Sequence, residues 1–325
     1  MKIRKYFWLV ILIILSLTLR SCKKEPSVSL PIVKTNAPDF VSSTVMTVGF
    51  RVESDGGSKI TDCGLFIGSA VSPETSGSKI SIGADTGNFY VQITGLIPAT
   101  QFYMKAYATN SKGQGLGDQE TFNTPAKIKD FENYSYETVV IYNQTWMATS
   151  LKTTHYLNGD AIGTTTPSTF DISGESTPKY QWSYNGDDAY AQVYGKLYTY
   201  YTVTDSRKIC PTGWHIPTDA DWITLENALG GASYAASFLK ESGNAHWISP
   251  YNLDGTNITC YNALPGGYRN FNGTFSYIGN YGFWWSSTEG DASNAWVRSM
   301  FVQSGQVSRT NFAKKNGASV RCVKD

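Results

Sequence analysis

The placement of the tryptophans constrains this chain more than any other feature. Nine occur in 325 residues. Trp8 stands alone near the start, and Trp146, Trp182, Trp214, Trp222, Trp247, Trp284, Trp285 and Trp296 all lie beyond residue 140. Tryptophan buries more apolar surface than most residues and tends to dominate the core that holds it. The C-terminal stretch must therefore close around a large aromatic interior, while the stretch before it must close with none. Two domains of different kinds are expected, and the length agrees.

The stretch 27–125 has strand periodicity. Met46, Val48, Phe50 and Val52 alternate with other residues, as do Phe89, Val91 and Ile93, and Phe102, Met104, Ala106 and Ala108. Period two over short runs means half-buried strands. Asp55-Gly56-Gly57, Gly87-Asn88 and Asn110-Ser111-Lys112-Gly113 punctuate them as turns. No helical period of any length is present, so 32–125 is expected to be an all-β sandwich. GQGLG (113–117) is not a phosphate loop, since no helix follows and no Lys-Ser/Thr closes it. Cys63 reads as a small buried hydrophobe.

Residues 126–135 are polar and mostly unpatterned, and read as a linker. Beyond them, two short helices are predicted. Thr218 is a good N-cap after Pro217, with Asp219 and Asp221 in the first turn where the helix dipole favours negative charge. Trp222, Leu225 and Leu229 follow at helical spacing, and Gly230-Gly231 ends the helix. A second helix is expected over about 234–241, stopped by Gly243. The rest reads as short strands and long turns, an α+β domain over 136–325.

CPTGWHIPTDADW (210–222) puts a cysteine, a histidine and two aspartates close together. It could be a reactive site or a structural clamp. The aspartates are accounted for as helix-start residues, and a histidine between Trp214 and Ile216 is more often a hydrogen-bonded core residue than a base. No Ser-His-Asp or Cys-His-Asn spacing is recognisable. No catalytic residue is therefore assigned. No C-x-x-C occurs, and His155, His215 and His246 are far apart in sequence, so no metal site or cofactor is expected. Lys plus Arg number 27 and Asp plus Glu 26. A chain without a basic field is not expected to hold nucleic acid.

The N-terminus reads as a targeting segment. Lys2, Arg4 and Lys5 precede an apolar run too short for a comfortable membrane span. LRSC (19–22) then resembles a lipoprotein lipobox, with Arg20 where such boxes carry a small residue. The resemblance implies a signal peptide over 1–21, acylation of Cys22 and a lipidated tether over 22–31. Acyl chains anchor through about 0.8 kcal/mol per buried CH₂. The implied partner is a membrane, and the implied location is the outer membrane, facing the periplasm or the cell surface.

Two further resemblances cover the rest of the chain. GLIPATQFYMKAYATNSKGQG (95–115) resembles the fibronectin type III pattern L-x-P-x-T-x-Y, with Phe102 in place of the corner tyrosine. That tyrosine normally hydrogen-bonds to nearby backbone, so here the corner is expected to be held by packing alone. TDCGLFIG (61–68) is similar to the version of this domain found on lipoproteins of the Bacteroidetes group. In the second half six stretches occur in order: NQTWMATSLKTTHYLNGDAI (143–162), YGKLYTYYTV (194–203), KICPTGWHIPTDADWITLENALGG (208–231), ALPGGYRNFNGTF (263–275), GFWWSSTE (282–289) and GASVRCVKD (317–325). Together they resemble the Fibrobacter succinogenes major paralogous domain, an extracytoplasmic family with no established activity. Its closing stretch is similar to the C-type-lectin-like fold.

The lectin-like resemblance implies that the first and last strands of the domain meet, and with them a Cys210–Cys322 disulfide. The state of Cys63 and Cys260 stays open. The resemblance also implies a ligand face built from the long loops before the last strands. Asn270, Asn272, Tyr277, Asn280 and Tyr281 are the candidate ligand residues. These types suit adaptable binding surfaces. The E-P-N and Q-P-D triplets of calcium-dependent sugar binders are absent. The function expected is a cell-envelope binding protein for a glycan or protein ligand. The alternatives are a structural envelope or fimbria-like component, and an enzyme of unknown reaction.

Overall fold

The computed structural model describes residues 27–248 and 255–325. Cys22 and the leader lie outside them. The described chain is β-rich, with five short α-helices.

The alternating runs of the first domain make a two-layer sandwich. One layer contains Ile32–Thr35, Val45–Ser54 and Gly87–Thr94. The other runs Ser78–Gly83, Asp62–Gly68, Gln101–Asn110, Gly113–Asn123. Met46, Val48, Phe50 and Val52 face Leu65, Ile67, Met104, Ala106 and Ala108 across the core. Burying each of the larger of these side chains stabilises by about 1.5–3 kcal/mol before the entropy of ordering is subtracted. Cys63 is a free thiol with no exposed surface inside this core. A one-turn helix, Pro73–Ser76, interrupts the strands where no helix is expected. It is too short to leave a period in sequence.

The corner at Phe102 departs from expectation. Phe102 stacks on Phe122 with ring centroids 5.5 Å apart, as packing alone would have it. Buried Thr124 supplies the missing hydroxyl, however. Its Oγ1 donates to Ile97 O at 2.6 Å and accepts from Thr100 N at 3.0 Å. A threonine just past the end of the neighbouring strand Gly113–Asn123 thus does the tethering that a corner tyrosine would do.

The sandwich does not end at a loose linker. Phe40–Ser42 pairs with Val45–Ser54 on one side and with Thr138–Ile141 on the other, antiparallel in both cases. One sheet therefore runs from the first domain into the second, continuing through Gln144–Met147 and Val323–Lys324 to Trp214–His215. Thr47 Oγ1 donates to Ile258 O at 2.9 Å, and the Ser43 and Thr138 hydroxyls meet at 3.2 Å. The stretch 126–135, expected as a linker, contributes Ile128–Lys129 to a small ladder with Ser135–Tyr136. Buried Asp130 holds that turn by accepting from Tyr134 N and the Tyr136 hydroxyl. Short polar runs look like linkers in sequence because a buried aspartate leaves no apolar signal.

In the second domain the last strand meets the second strand of the opening hairpin, Gln144–Met147, while the first, Thr138–Ile141, is taken up by Phe40–Ser42. Trp146 pairs with Val323, which also pairs with His215. Cys210 and Cys322 form a disulfide across 112 residues of chain. A five-stranded sheet follows in the order Phe275–Ile278, Gly266–Arg269, Tyr281–Glu289, Asn294–Phe301, Val307–Ala313. The two expected helices are present at Asp219–Ala228 and Ala232–Leu239. The first begins with a capping box, in which Thr218 and Asp221 bond each other's backbone. Two helices were missed, Asp188–Tyr194 and Tyr200–Val203. The former is two turns long, capped by the Asp187 side chain on Ala189 N and stopped at Gly195 with φ 78°. A helix that short shows only its caps in sequence.

Candidate functional site

CPTGWHIPTDADW forms a clamp. With Cys210 in the disulfide, no thiol is left for His215 to activate. The His215 ring sits between two carboxylates, with Nδ1 2.7 Å from Asp325 Oδ1 and Nε2 3.2 Å from Asp221 Oδ2. Neither ring nitrogen is left for a substrate. Burial alone would raise the Asp221 carboxyl. The Thr218 hydroxyl and N–H and the His215 ring outweigh it and hold the group below the usual carboxylate range. Asp219 does more than favour the helix dipole. It takes 2.7 and 2.9 Å contacts from Arg298 and Arg309, and Arg298 also reaches Glu226. Arg298 is fully buried, so both acids are needed to satisfy it. A cleft of about 350 Å³ lies over this region, walled by Val203, Ile209, Cys210 and Trp214.

The five predicted ligand residues separate into two groups. Asn270 and Asn272 close the turn between Gly266–Arg269 and Phe275–Ile278. Asn270 Oδ1 accepts from Asn272 N, and Asn272 Oδ1 accepts from Thr274 N and Oγ1 at 3.0 and 2.8 Å. These amide oxygens are engaged in local structure. Gly273 completes the turn at φ 93°, where a Cβ would meet Thr169 O at 1.9 Å. Asparagine in such turns is explained by its own backbone bonds.

Tyr277, Asn280 and Tyr281 are placed differently. Tyr277 has φ 67° and is 52% exposed. It stacks on Tyr268 at 5.9 Å and meets Tyr281 at 5.4 Å. Tyr281 in turn stacks on Phe301 at 4.6 Å and Phe283 at 5.6 Å, and Phe283 stacks on Phe312 at 5.5 Å. Because side chains alternate along Tyr281–Glu289, Tyr281 and Phe283 share one face with Trp285 while Trp284 points to the other. The result is a continuous aromatic strip on the five-stranded sheet. It runs from exposed Tyr277, through half-buried Tyr268, Tyr281, Phe301 and Phe312, to fully buried Trp285. The phenols of Tyr268, Tyr277 and Tyr281 and the Asn280 amide make no hydrogen bond to the described residues. Of the three tryptophans here whose size suits a core, Trp284 and Trp285 are fully buried, whereas Trp296 is only partly buried and lies under Arg309, whose guanidinium is 3.3 Å from the ring centroid.

The strip contains four aromatics that the sequence reading missed: Tyr268, Phe283, Phe301 and Phe312. The alternation Tyr281, Phe283 was a usable signal. The registers that bring Phe301 opposite Tyr281 and Phe312 opposite Ala295 were not. Among the described residues, no group of three or more His, Cys, Asp or Glu side chains is placed to hold a metal ion. No described helix is long and apolar enough to cross a membrane.

These features define a two-domain β-rich protein whose second domain pairs a disulfide-clamped core with a laterally exposed aromatic face. The chain belongs to the Fibrobacter succinogenes major domain family, whose model matches residues 139–324. No curated protein matches the chain. Among solved structures, it is similar to the sensor domain of the anti-sigma factor RsgI4 in Pseudobacteroides cellulosolvens, with 22% identity and a TM-score of 0.24 over 31% of this chain and 99% of that one. The third fibronectin III domain of the human KIAA0343 protein is matched at 19% identity and a TM-score of 0.22, over 33% of this chain and 93% of that one.

Proposed function

We propose that this chain is a cell-envelope lipoprotein, anchored through Cys22, that binds a glycan without catalysing a reaction. In this reading a fibronectin type III-like sandwich carries a head of C-type-lectin-like type, and the outer membrane is the site of anchoring. The observation that supports it is the aromatic strip. Ring faces of tyrosine offer apolar area with a polar tip at small entropic cost. The free phenols of Tyr268, Tyr277 and Tyr281 and the Asn280 amide flank that area with donors and acceptors. A sugar chain presents the complementary surface, with C–H faces to stack on the rings and hydroxyls to meet the polar tips. The lipid anchor is read from LRSC, which lies outside the described residues.

The test is a glycan array probed with the full chain, alongside Tyr277→Ala and Tyr281→Ala. Wild-type binding that falls at least tenfold in Tyr281→Ala, about 1.4 kcal/mol or more, supports the proposal. Absence of glycan binding, together with recovery in a fixed-stoichiometry envelope assembly, would replace it with a structural role. Turnover abolished by His215→Ala in a still-folded chain would replace it with an enzyme.

A further inference from the structure

A second site lies away from the strip, between the 164–168 loop, the Gln181–Trp182 strand and the start of the Asp188–Tyr194 helix. It is a cavity of about 450 Å³, within the range of small-molecule sites. Its floor holds Gln181, a residue 6% exposed whose Oε1 is buried without a hydrogen-bond partner. A buried carbonyl oxygen left unpaired is destabilising, so an occupant able to donate to it is favoured.

The walls are set by groups behind them. The fully buried Arg269 guanidinium lies 4.0 Å over the Trp182 ring and donates from Nε to Ser168 O at 3.0 Å and from Nη2 to Phe170 O. Trp182 Nε1 donates to Thr165 Oγ1 at 2.9 Å. Gly186, at φ 75°, lets the Asn185 turn approach so closely that a Cβ would lie 2.7 Å from Ser168 Oγ. The cavity is therefore preorganised, which lowers the ordering entropy a ligand must meet.

Its chemistry selects a class of ligand. The only charged side chains lining it are Lys196 and Asp188, and they pair at 3.2 Å, both also bonding Ser183 Oγ. The lining thus has no net charge to favour an anion or a cation. The Thr164, Thr166 and Ser168 hydroxyls and the exposed Asn185 amide add groups that donate and accept. Trp182 is covered by Arg269 and offers no stacking face. We propose that this cavity binds one neutral, polyhydroxylated unit, a single sugar ring, through hydrogen bonds alone, with Gln181 Oε1 accepting from a ring hydroxyl. This site does not depend on the aromatic strip and stands even if the strip binds nothing.

The experiment titrates the full chain with a panel of neutral monosaccharides (glucose, galactose, mannose and N-acetylglucosamine) by saturation-transfer NMR. Inorganic phosphate and glycine serve as charged and zwitterionic probes. Saturable binding of at least one sugar with a Kd near 1 mM, or about −4 kcal/mol, is expected. It should weaken at least tenfold in Gln181→Met and in Asp188→Asn. Asp188 is 81% exposed on its side chain, so its variant decides the matter if Gln181→Met fails to fold. Asn185→Gly gives a third readout, at a left-handed residue where glycine is unstrained. The proposal is overturned if no sugar saturates, if phosphate or glycine binds instead, or if sugar binding survives Gln181→Met and Asp188→Asn. Loss in Tyr281→Ala alone would overturn it while supporting the strip.

Discussion

The two domains bury very different material. The sandwich closes on aliphatic and phenylalanine side chains, and the described residues up to 125 include no fully buried charge. The second domain buries Asp205, Glu226, Lys240, Arg269, Arg298, Lys314 and Arg321 beside its tryptophans. Arg321 has no carboxylate partner among the described residues. It donates to the carbonyls of Met147, Tyr261 and Asn262, and its burial holds the group down to about 10. The comparison separates two ways of specifying a fold. A core of interchangeable apolar residues spreads its stability over many contacts. A core of buried, paired charges concentrates it in a few, because an unpaired buried charge is far more expensive than a missing methyl group.

The strongest way to break that contrast is Glu226→Ala. It leaves fully buried Arg298 with Asp219 alone, and is expected to lower stability by about 3–5 kcal/mol, toward the lower end because Asp219 remains. Glu226→Gln keeps an acceptor and should lose less. Urea denaturation followed by tryptophan fluorescence is the measurement, since every described tryptophan lies in the second domain. A loss below about 1 kcal/mol would place this buried pair among exposed ones in effect and erase the difference between the domains. Next in size is the clamp. Replacing Cys210 and Cys322 together by serine should lower stability by about 2–4 kcal/mol by releasing a long loop in the unfolded chain. An unchanged fluorescence midpoint would mean that strand pairing at Trp146, Val323 and His215 suffices on its own.

The same contrast decides how much was legible in the sequence. The sandwich core could be read residue by residue, because Met46, Val48, Phe50 and Val52 announce a buried face through spacing alone. In the second domain the local signals held: the Thr218 cap and the helix at Asp219–Ala228 are where the sequence places them. The partners did not announce themselves. Nothing near Arg298 in sequence points to Glu226, 72 residues away, and nothing near Tyr281 points to Phe301. Composition points to Asn270 and Asn272 as ligand residues, yet the turn consumes their amide oxygens. Composition points equally to Tyr277 and Tyr281, and these do reach a surface. Residue type names what a side chain can do, and long-range register decides whether it is free to do it.

The smallest expected effect sharpens the contrast from the other side. Thr124→Val keeps the shape of a buried residue while deleting the hydroxyl that ties Ile97 O and Thr100 N at the sandwich corner. Ile97 is 62% exposed, so water can take over part of what is lost, and the cost should be about 1 kcal/mol rather than the larger penalty of a sealed site. The sandwich holds no described tryptophan, so far-UV circular dichroism reads both domains while fluorescence reads only the second. If the two unfold separately, the dichroism curve should gain an earlier step and the fluorescence midpoint should stay put. If both shift together, the sheet that joins Phe40–Ser42 to Thr138–Ile141 makes the domains one cooperative unit. A distributed core and a concentrated one would then share a single free energy of unfolding, with the shared sheet as the element that couples them.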